Sequence, residues 1–289
     1  MPLSTNSPAL LTVVLLLLAG CSVRPAGRAT ETLLPPDGVE VPLKLDNDRP
    51  LVEVLVNGQG PYRFLIDTAC ETVIVDRKVA DACGLQRVGK EFPGNKYRAG
   101  VGDLKIGTAK FRDLDVWVFD IAGIDPVAPA VDGVLGPPIF ADCCLTLDMP
   151  RERLIINRHE LSAGTPHVVA MEPTQPAIVV QLGLADGSMI NQKLLLATGF
   201  TGSLSLPADV RPSLGPLVEA GVLLRQTNGR RTADQIERLS SGLRLAGWTV
   251  EGAEAIFSDE PPCAGIRLLR EFRLTFDWRR RLVQLVPPR

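Results

Sequence analysis

The sequence predicts an all-β protein of two homologous lobes with a cleft between them. Three observations lead there. Two stretches of the chain read alike at matched spacing, apolar and polar residues alternate with the period of strands, and turn-forming residues are dense. Gly (26) and Pro (24) make up about 17% of the 289 residues, above the roughly 12% average, so the chain is cut into short elements. At 45% hydrophobic and 22% charged, the composition is that of a globular protein. Aromatics are only 5%, so an aliphatic core is expected. The net charge of −2 argues against a nucleic-acid partner, because a phosphate backbone requires a basic surface. Two histidines, His159 and His167, leave little room for His-based metal sites or a Ser-His-Asp triad. No Cys-x-x-Cys pair occurs, so no metal and no cofactor are expected.

The elements follow in order. Ala9 to Ala19 is an apolar run broken only by Thr12, too short to span a bilayer and suited to a signal peptide over residues 1–20. It ends in Leu18-Ala19-Gly20-Cys21, which resembles a bacterial lipobox. That resemblance implies lipidation at Cys21 and attachment to the cell envelope. Ser22 after the Cys follows the pattern of outer-membrane lipoproteins facing the periplasm. The first nine residues carry no Lys or Arg, a departure from the usual signal. Residues 21–37 read as a tether. Five further cysteines remain, Cys70, Cys83, Cys143, Cys144 and Cys263. An odd number leaves at least one unpaired thiol.

Residues 38–160 form the first repeat, 161–176 a connection, and 177–289 the second repeat; both histidines fall at this junction, in the segment around His159 to Pro176. In the first, Pro61 to Ile66 is an apolar strand that runs into Asp67-Thr68-Ala69 and then Val73-Ile74-Val75. In the second, Gln192 to Leu196 runs into Ala197-Thr198-Gly199 and then Leu204-Ser205-Leu206. A hairpin signal precedes each, Asn57-Gly58 and Asp186-Gly187. Downstream, Val134-Leu135-Gly136 echoes Cys263-Ala264-Gly265, and Leu145 to Asp148 echoes Leu274 to Asp277. Twelve positions separate Gly136 from Asp148, and twelve separate Gly265 from Asp277. Between these anchors, Leu104 to Ile106 with Val116 to Val118 resembles Leu243 to Leu245 with Ala255 to Phe257. Helices are expected to be short: Asp76 can cap one ending before Gly84, and Pro207 can open another. Each lobe should hold six or seven strands.

Phe64-Leu65-Ile66-Asp67-Thr68, coupled to Asp132-Gly133-Val134-Leu135-Gly136, resembles the lobe of a retropepsin-type aspartic peptidase. Two such lobes in one chain resemble the bilobal, pepsin-like arrangement, over roughly residues 38–289. The resemblance implies two aspartic-peptidase-like β-barrel lobes, with an Asp-Thr-Gly turn from each meeting in the cleft. Two carboxylates about 3 Å apart then share one proton. One takes a proton from water while the other donates to the substrate carbonyl. The paired Thr residues, here Thr68 and Thr198, hydrogen-bond across the lobes, and apolar-apolar-Gly supports each Asp turn.

This sequence departs from that pattern in both turns. The second lobe has Ala197 at the Asp position, and the first has Ala69 where Gly is expected. Six positions separate Asp67 from Val73 and seven separate Ala197 from Leu204, which suggests a deletion after Thr68 that mis-aims Asp67. Asp67 is thus the one candidate catalytic carboxylate; Glu71 and Asp132 are other acids in the sequence that could substitute for the missing one, though neither occupies its position. Two functions remain open. One is an envelope lipoprotein with ancestral endopeptidase activity. The other is a pseudopeptidase that binds an extended peptide or an envelope protein without cutting it. The family position of the mobile flap falls on Gly94, Tyr97, Gly100 and Gly102. Cys70 has no neighbouring base and reads as a buried thiol or a disulfide partner of Cys83. Asp148 and Asp277 read as structural turn residues, Arg279 to Arg281 as a solvated turn, and the two histidines as surface residues.

Overall fold

The computed structural model describes residues 26–121, 131–227 and 230–287. The signal segment and Cys21 lie outside the described residues. In the first lobe the strands are β1 (Glu31–Leu33), β2 (Val39–Pro42), β3 (Lys44–Asp46), β4 (Arg49–Val56), β5 (Gln59–Ile66) and β6 (Val73–Asp76). Then come helix α1 (Arg77–Ala82), β7 (Arg87–Phe92), β8 (Lys96–Ile106), β9 (Ala109–Phe119), β10 (Gly133–Leu135), β11 (Cys144–Asp148) and β12 (Arg153–Asn157). After the connecting strand β13 (Val168–Ala170), the second lobe runs through β14 (Ala177–Gly183), β15 (Met189–Ala197), β16 (Leu204–Pro207), β17 (Val218–Thr227) and β18 (Arg230–Arg238). It continues with β19 (Leu243–Leu245), β20 (Trp248–Val250), β21 (Glu254–Ser258), β22 (Cys263–Gly265), α2 (Ile266–Leu269), β23 (Arg273–Asp277) and β24 (Leu282–Val286).

These strands build three sheets. The first lobe holds nine strands in the order β1-β9-β6-β10-β5-β4-β8-β7, with β3 on β4, and the pairing of β8 with β9 closes the sheet on itself. The second holds nine in the order β17-β18-β21-β16-β22-β15-β14-β19-β20. A six-stranded sheet, β13-β24-β23-β11-β12-β2, is shared between the halves. The six or seven strands expected per lobe were too few because the edge hairpins and the shared sheet add to each half. At the centre of the shared sheet Thr146 pairs with Thr275, their hydroxyls 3.0 Å apart, and a pseudo-twofold axis passes between them.

Alternation decides which face each strand buries. In β8, Tyr97, Ala99, Val101, Leu104 and Ile106 point inward, and β9 answers with Ala109, Phe111, Leu114, Val116 and Val118. The strands that flank the central turns are buried on both faces: Phe64-Leu65-Ile66 is a continuous apolar run, and in Leu204-Ser205-Leu206 the buried Ser205 hydroxyl is met by that of Ser258 at 3.1 Å. Asp76 caps α1, its carboxylate accepting from Lys78 N at 2.9 Å.

Three stretches differ from expectation. Residues 27–33, assigned to the tether, are packed: Gly27 N donates to Asp115 O, Ala29 is buried, and β1 pairs with β9. Short as it is, the stretch adds an edge strand to a sheet that has unpaired backbone to offer. The connection 161–176 supplies β13 to the shared sheet. Within it His167 is half-buried rather than free on the surface: its ring stacks on Trp248 at 4.0 Å and its Nδ1 lies 3.1 Å from Ala246 O. His159 is exposed, as expected. No helix among the described residues is long and apolar enough to cross a membrane.

Candidate functional site

The site forms where β5 and β15 end. In each lobe a short strand runs parallel to the turn-bearing strand and antiparallel to the next one. Ile66, Leu135 and Val73 stand in one register, and Leu196, Ala264 and Leu204 in the other. The two turns therefore leave equivalent frameworks, and Asp67 corresponds to Ala197. Gly136 and Gly265 lie behind them. A Cβ on Gly136 would sit 2.0 Å from Cys70 O, and one on Gly265 would sit 2.4 Å from Gly202 O, so only Gly fits.

The turns meet. Thr68 N donates to Thr198 Oγ1 at 3.1 Å, and Thr198 Oγ1 donates to Ile66 O at 2.7 Å. In the mirror direction Thr198 N donates to Thr68 Oγ1 at 3.2 Å, and Thr68 Oγ1 donates to Leu196 O at 2.5 Å. Both threonines are buried, so four polar groups that would otherwise be stranded are satisfied across the lobes. Ion pairing of Asp48 with Arg270 adds a second link between the lobes at the rim.

Asp67 is aimed, and the expected deletion lies elsewhere. Its Oδ1 accepts from Ala69 N at 2.9 Å and from Gly199 N of the opposite turn at 3.2 Å. Cys70 N donates to Asp67 O at 3.1 Å, and Phe200 N donates to Ala197 O at the same distance. The turns therefore match as far as Cys70 and Phe200. They match again where Gly136 N meets Thr72 O and Gly265 N meets Ser203 O. The missing residue falls between Cys70 and Thr72, and Ala69 is a substitution at the Gly position.

That substitution has a physical counterpart. A Cβ on Gly199 would lie 2.4 Å from Asp67 Oδ2, so a carboxylate in one turn requires Gly in the other. By the pseudo-twofold relation, the Cβ of Ala69 stands where a carboxylate at position 197 would need space. A methyl at position 69 and a carboxylate at position 197 therefore compete for the same space, as a methyl at position 199 and Asp67 would.

Burial pushes the Asp67 carboxyl above the ordinary carboxylate range. The N–H groups of Ala69 and Gly199 and the charge of Arg49 pull it down without offsetting that cost. Neither sequence alternative supplies a second acid. Asp132 lies level with Arg63, four residues before Asp67, its carboxylate accepting from Arg63 N at 2.8 Å, and Glu71 is exposed. The Cys70 thiol is pushed up to about 12, chiefly by burial, and donates to Thr72 O at 3.4 Å; it is no thiolate nucleophile. Cys70 and Cys83 form no disulfide with each other, and Cys83 Sγ donates to Tyr62 Oη at 3.5 Å. No group of three or more His, Cys, Asp or Glu able to hold a metal occurs among the described residues. Asp277 is fully buried and accepts from Leu161 N and Arg280 N, a structural role.

Of the flap candidates, Gly94 lies in the turn between β7 and β8, with φ +79°. Tyr97 and Gly100 are in β8 and paired with β9, as is the stretch around Gly102, and the Tyr97 side chain is buried in the core beneath Arg77. A ribbon that stands further from its sheet belongs to the second lobe. β17 and β18 pair over their whole lengths, yet β18 joins β21 only at Glu237 and Arg238. Its inner residues Leu223 and Ile236 pack with Ile256 against Phe200, three residues beyond Ala197. The sequence carried one signal for this ribbon, Asn228-Gly229 between two strand-like runs.

Residues 52–139 match the model of a family described as Aspartyl protease. No curated protein matches this sequence. Among solved structures, the crystal structure of an aspartic proteinase from Irpex lacteus is similar, with a TM-score of 0.56 at 12% identity, over 86% of this chain and 97% of that one. The chain has the two-lobed, nearly all-β aspartic-proteinase fold, and its first lobe carries the aspartyl-protease sequence pattern.

Proposed function

We propose that this protein is an aspartic-peptidase-derived, envelope-tethered binding protein that holds an extended peptide in its interlobe cleft without hydrolysing it. The observation that carries this reading is the paired change at the turns. Position 197 is a methyl, and the Cβ of Ala69 fills the space a second carboxylate would need. A lone Asp67 can orient a water but has no partner to protonate the substrate carbonyl. General acid–base help of that kind is worth roughly 10²–10⁴ in rate. The Thr68–Thr198 contacts, the Gly136 and Gly265 supports and the closed first lobe are all kept, which is what a cleft retained for binding requires.

The test incubates the unlipidated full-length mature chain (Cys21→Ser) with a mixed peptide library at several values between about pH 3 and 7. Retained and released peptides are then read by mass spectrometry. Retention of intact peptides supports the reading. Cleavage that vanishes in Asp67→Ala overturns it in favour of a single-acid peptidase. The envelope part of the proposal rests on the apolar run ending at Cys21. Partition of the native protein into detergent phase, lost in Cys21→Ser, is the expected result; partition that survives the change would contradict lipidation there.

A further inference from the structure

One end of the shared sheet is rich in arginine. Cys144 pairs with both Asn157 and Asp277, so the exit from β12 and the β23–β24 turn leave that sheet side by side. Arg158, Arg279, Arg280 and Arg281 stand on those two segments, all exposed. Arg28 joins them. Its guanidinium donates to Asp142 Oδ1 at 3.0 Å, while that of Arg158 donates to Asp142 O at 3.4 Å and to Thr32 O at 2.8 Å. Arg279 donates to Arg158 O at 3.2 Å, and Arg280 pairs with Glu160. Five cations therefore share this end with three carboxylates, of which Asp277 is fully buried and Asp142 and Glu160 are half exposed. Glu71 and Glu172 lie across the pocket that Arg28 and Arg281 line, and Lys193 holds Glu172 at 2.9 Å. The whole chain carries −2, so the positive excess is local.

We infer that this end of the shared sheet rests on the anionic phospholipid headgroups of the membrane that holds Cys21. The inference rests on the envelope-tether reading and adds an orientation to it. Tether length is the first argument. Cys21 lies six positions before Gly27, whose N–H is fixed on Asp115 O, and six residues reach at most about 21 Å. A body of this size is about 45 Å across, so a short anchor presents the face around Arg28 to the bilayer. Charges on that face come within the roughly 8 Å over which they act in physiological salt, and those on the far side do not. Chemistry is the second argument. A guanidinium fork matches a phosphate, and two carbonyl oxygens hold that of Arg158, which position its charge without cancelling it. Held close by the anchor, a patch too weak to bind vesicles alone acts at high local concentration.

The test floats the native lipidated chain on vesicles of phosphatidylcholine, alone or with about one third phosphatidylglycerol. Arginines are labelled briefly with p-hydroxyphenylglyoxal and read one by one by peptide mass spectrometry. Arg158, Arg279, Arg280 and Arg281 are expected to label at least about threefold more slowly on the anionic vesicles than on the neutral ones. Arg153 and Arg244, exposed elsewhere on the molecule, should label alike on both. High salt, or the double change Arg158→Glu and Arg280→Glu, should restore the labelling of Arg279 and Arg281. Arg280→Gln with Arg281→Gln, read at Arg158 and Arg279, is the milder variant if the charge reversal fails to fold. Equal labelling on the two vesicles, or slowing that survives the loss of charge, overturns the inference and leaves the tether intact. A chain that does not float refutes lipidation instead. The mature Cys21→Ser chain, held on the same two mixtures by an N-terminal hexahistidine tag and a trace of nickel-chelating lipid, then decides the orientation by the same labelling.

Discussion

Asp67 is the residue on which the chemistry turns. Its carboxyl is held above the ordinary range by burial, so the folded protein keeps its proton to higher pH than the unfolded chain does. An acid whose folded pKa exceeds its unfolded value binds more protons in the native state, and stability falls as pH rises between the two values. Asp67→Asn, which keeps an oxygen for Ala69 N and Gly199 N, should therefore raise the melting temperature at pH 7. The gain should disappear as pH falls below the unfolded value of about 3.9. Thermal unfolding of both proteins across this range checks it; an Asn variant less stable at pH 7 would show that the two N–H bonds and Arg49 outweigh burial. Thr198 is the structural complement. Thr198→Val strands Thr68 N and Ile66 O in a buried site, and a loss of about 1–3 kcal/mol in urea unfolding is expected.

The two halves have diverged at the scale of elements more than at the turns. In the first lobe β8 is paired along β9 from Tyr97 to Ile106, which fixes the hairpin at Gly94. In the second the β17–β18 ribbon leaves the sheet after Glu237, and β17 is an edge strand with Val218, Val222 and Leu224 exposed at 61%, 58% and 69%. Exposed apolar side chains on an unpaired edge invite strand-to-strand association. Gly221, at φ +145° beside a register shift, makes that edge irregular, a feature that counts against such pairing. The double change Val222→Lys and Leu224→Lys should raise the concentration at which the protein starts to scatter light and leave the melting temperature unchanged. A large fall in melting temperature would mean that these side chains pack in the folded chain.

At the scale of the whole molecule, what was legible in the sequence was whatever the duplication had preserved. Spacing from Gly136 to Asp148 and from Gly265 to Asp277 located the frameworks, because a Gly that no Cβ can replace and a strand on the pseudo-twofold axis both resist change. Asp67, Thr68, Ala197 and Thr198 were found the same way. The deletion was misplaced because a residue count cannot say where within a turn the loss falls; only the hydrogen bonds at Cys70 N and Phe200 N, and those at Thr72 O and Ser203 O, locate it after Cys70. The tether and the His167 stack were missed because each depends on a partner distant in sequence, β9 for one and Trp248 for the other. The ribbon of the second lobe was passed over because the flap was sought where the family has it, in the half that still bears the acid.

The most direct measurement is peptide cleavage by the double variant Ala69→Gly, Ala197→Asp. If the lost acid and the added methyl are one linked change, the pair should give a folded protein that cuts peptides at acidic pH. Ala197→Asp alone should cut far more weakly, and Asp67→Asn added to the pair should abolish the cutting. A folded double variant with no cleavage, or a wild type that already cuts as fast, would contradict the account.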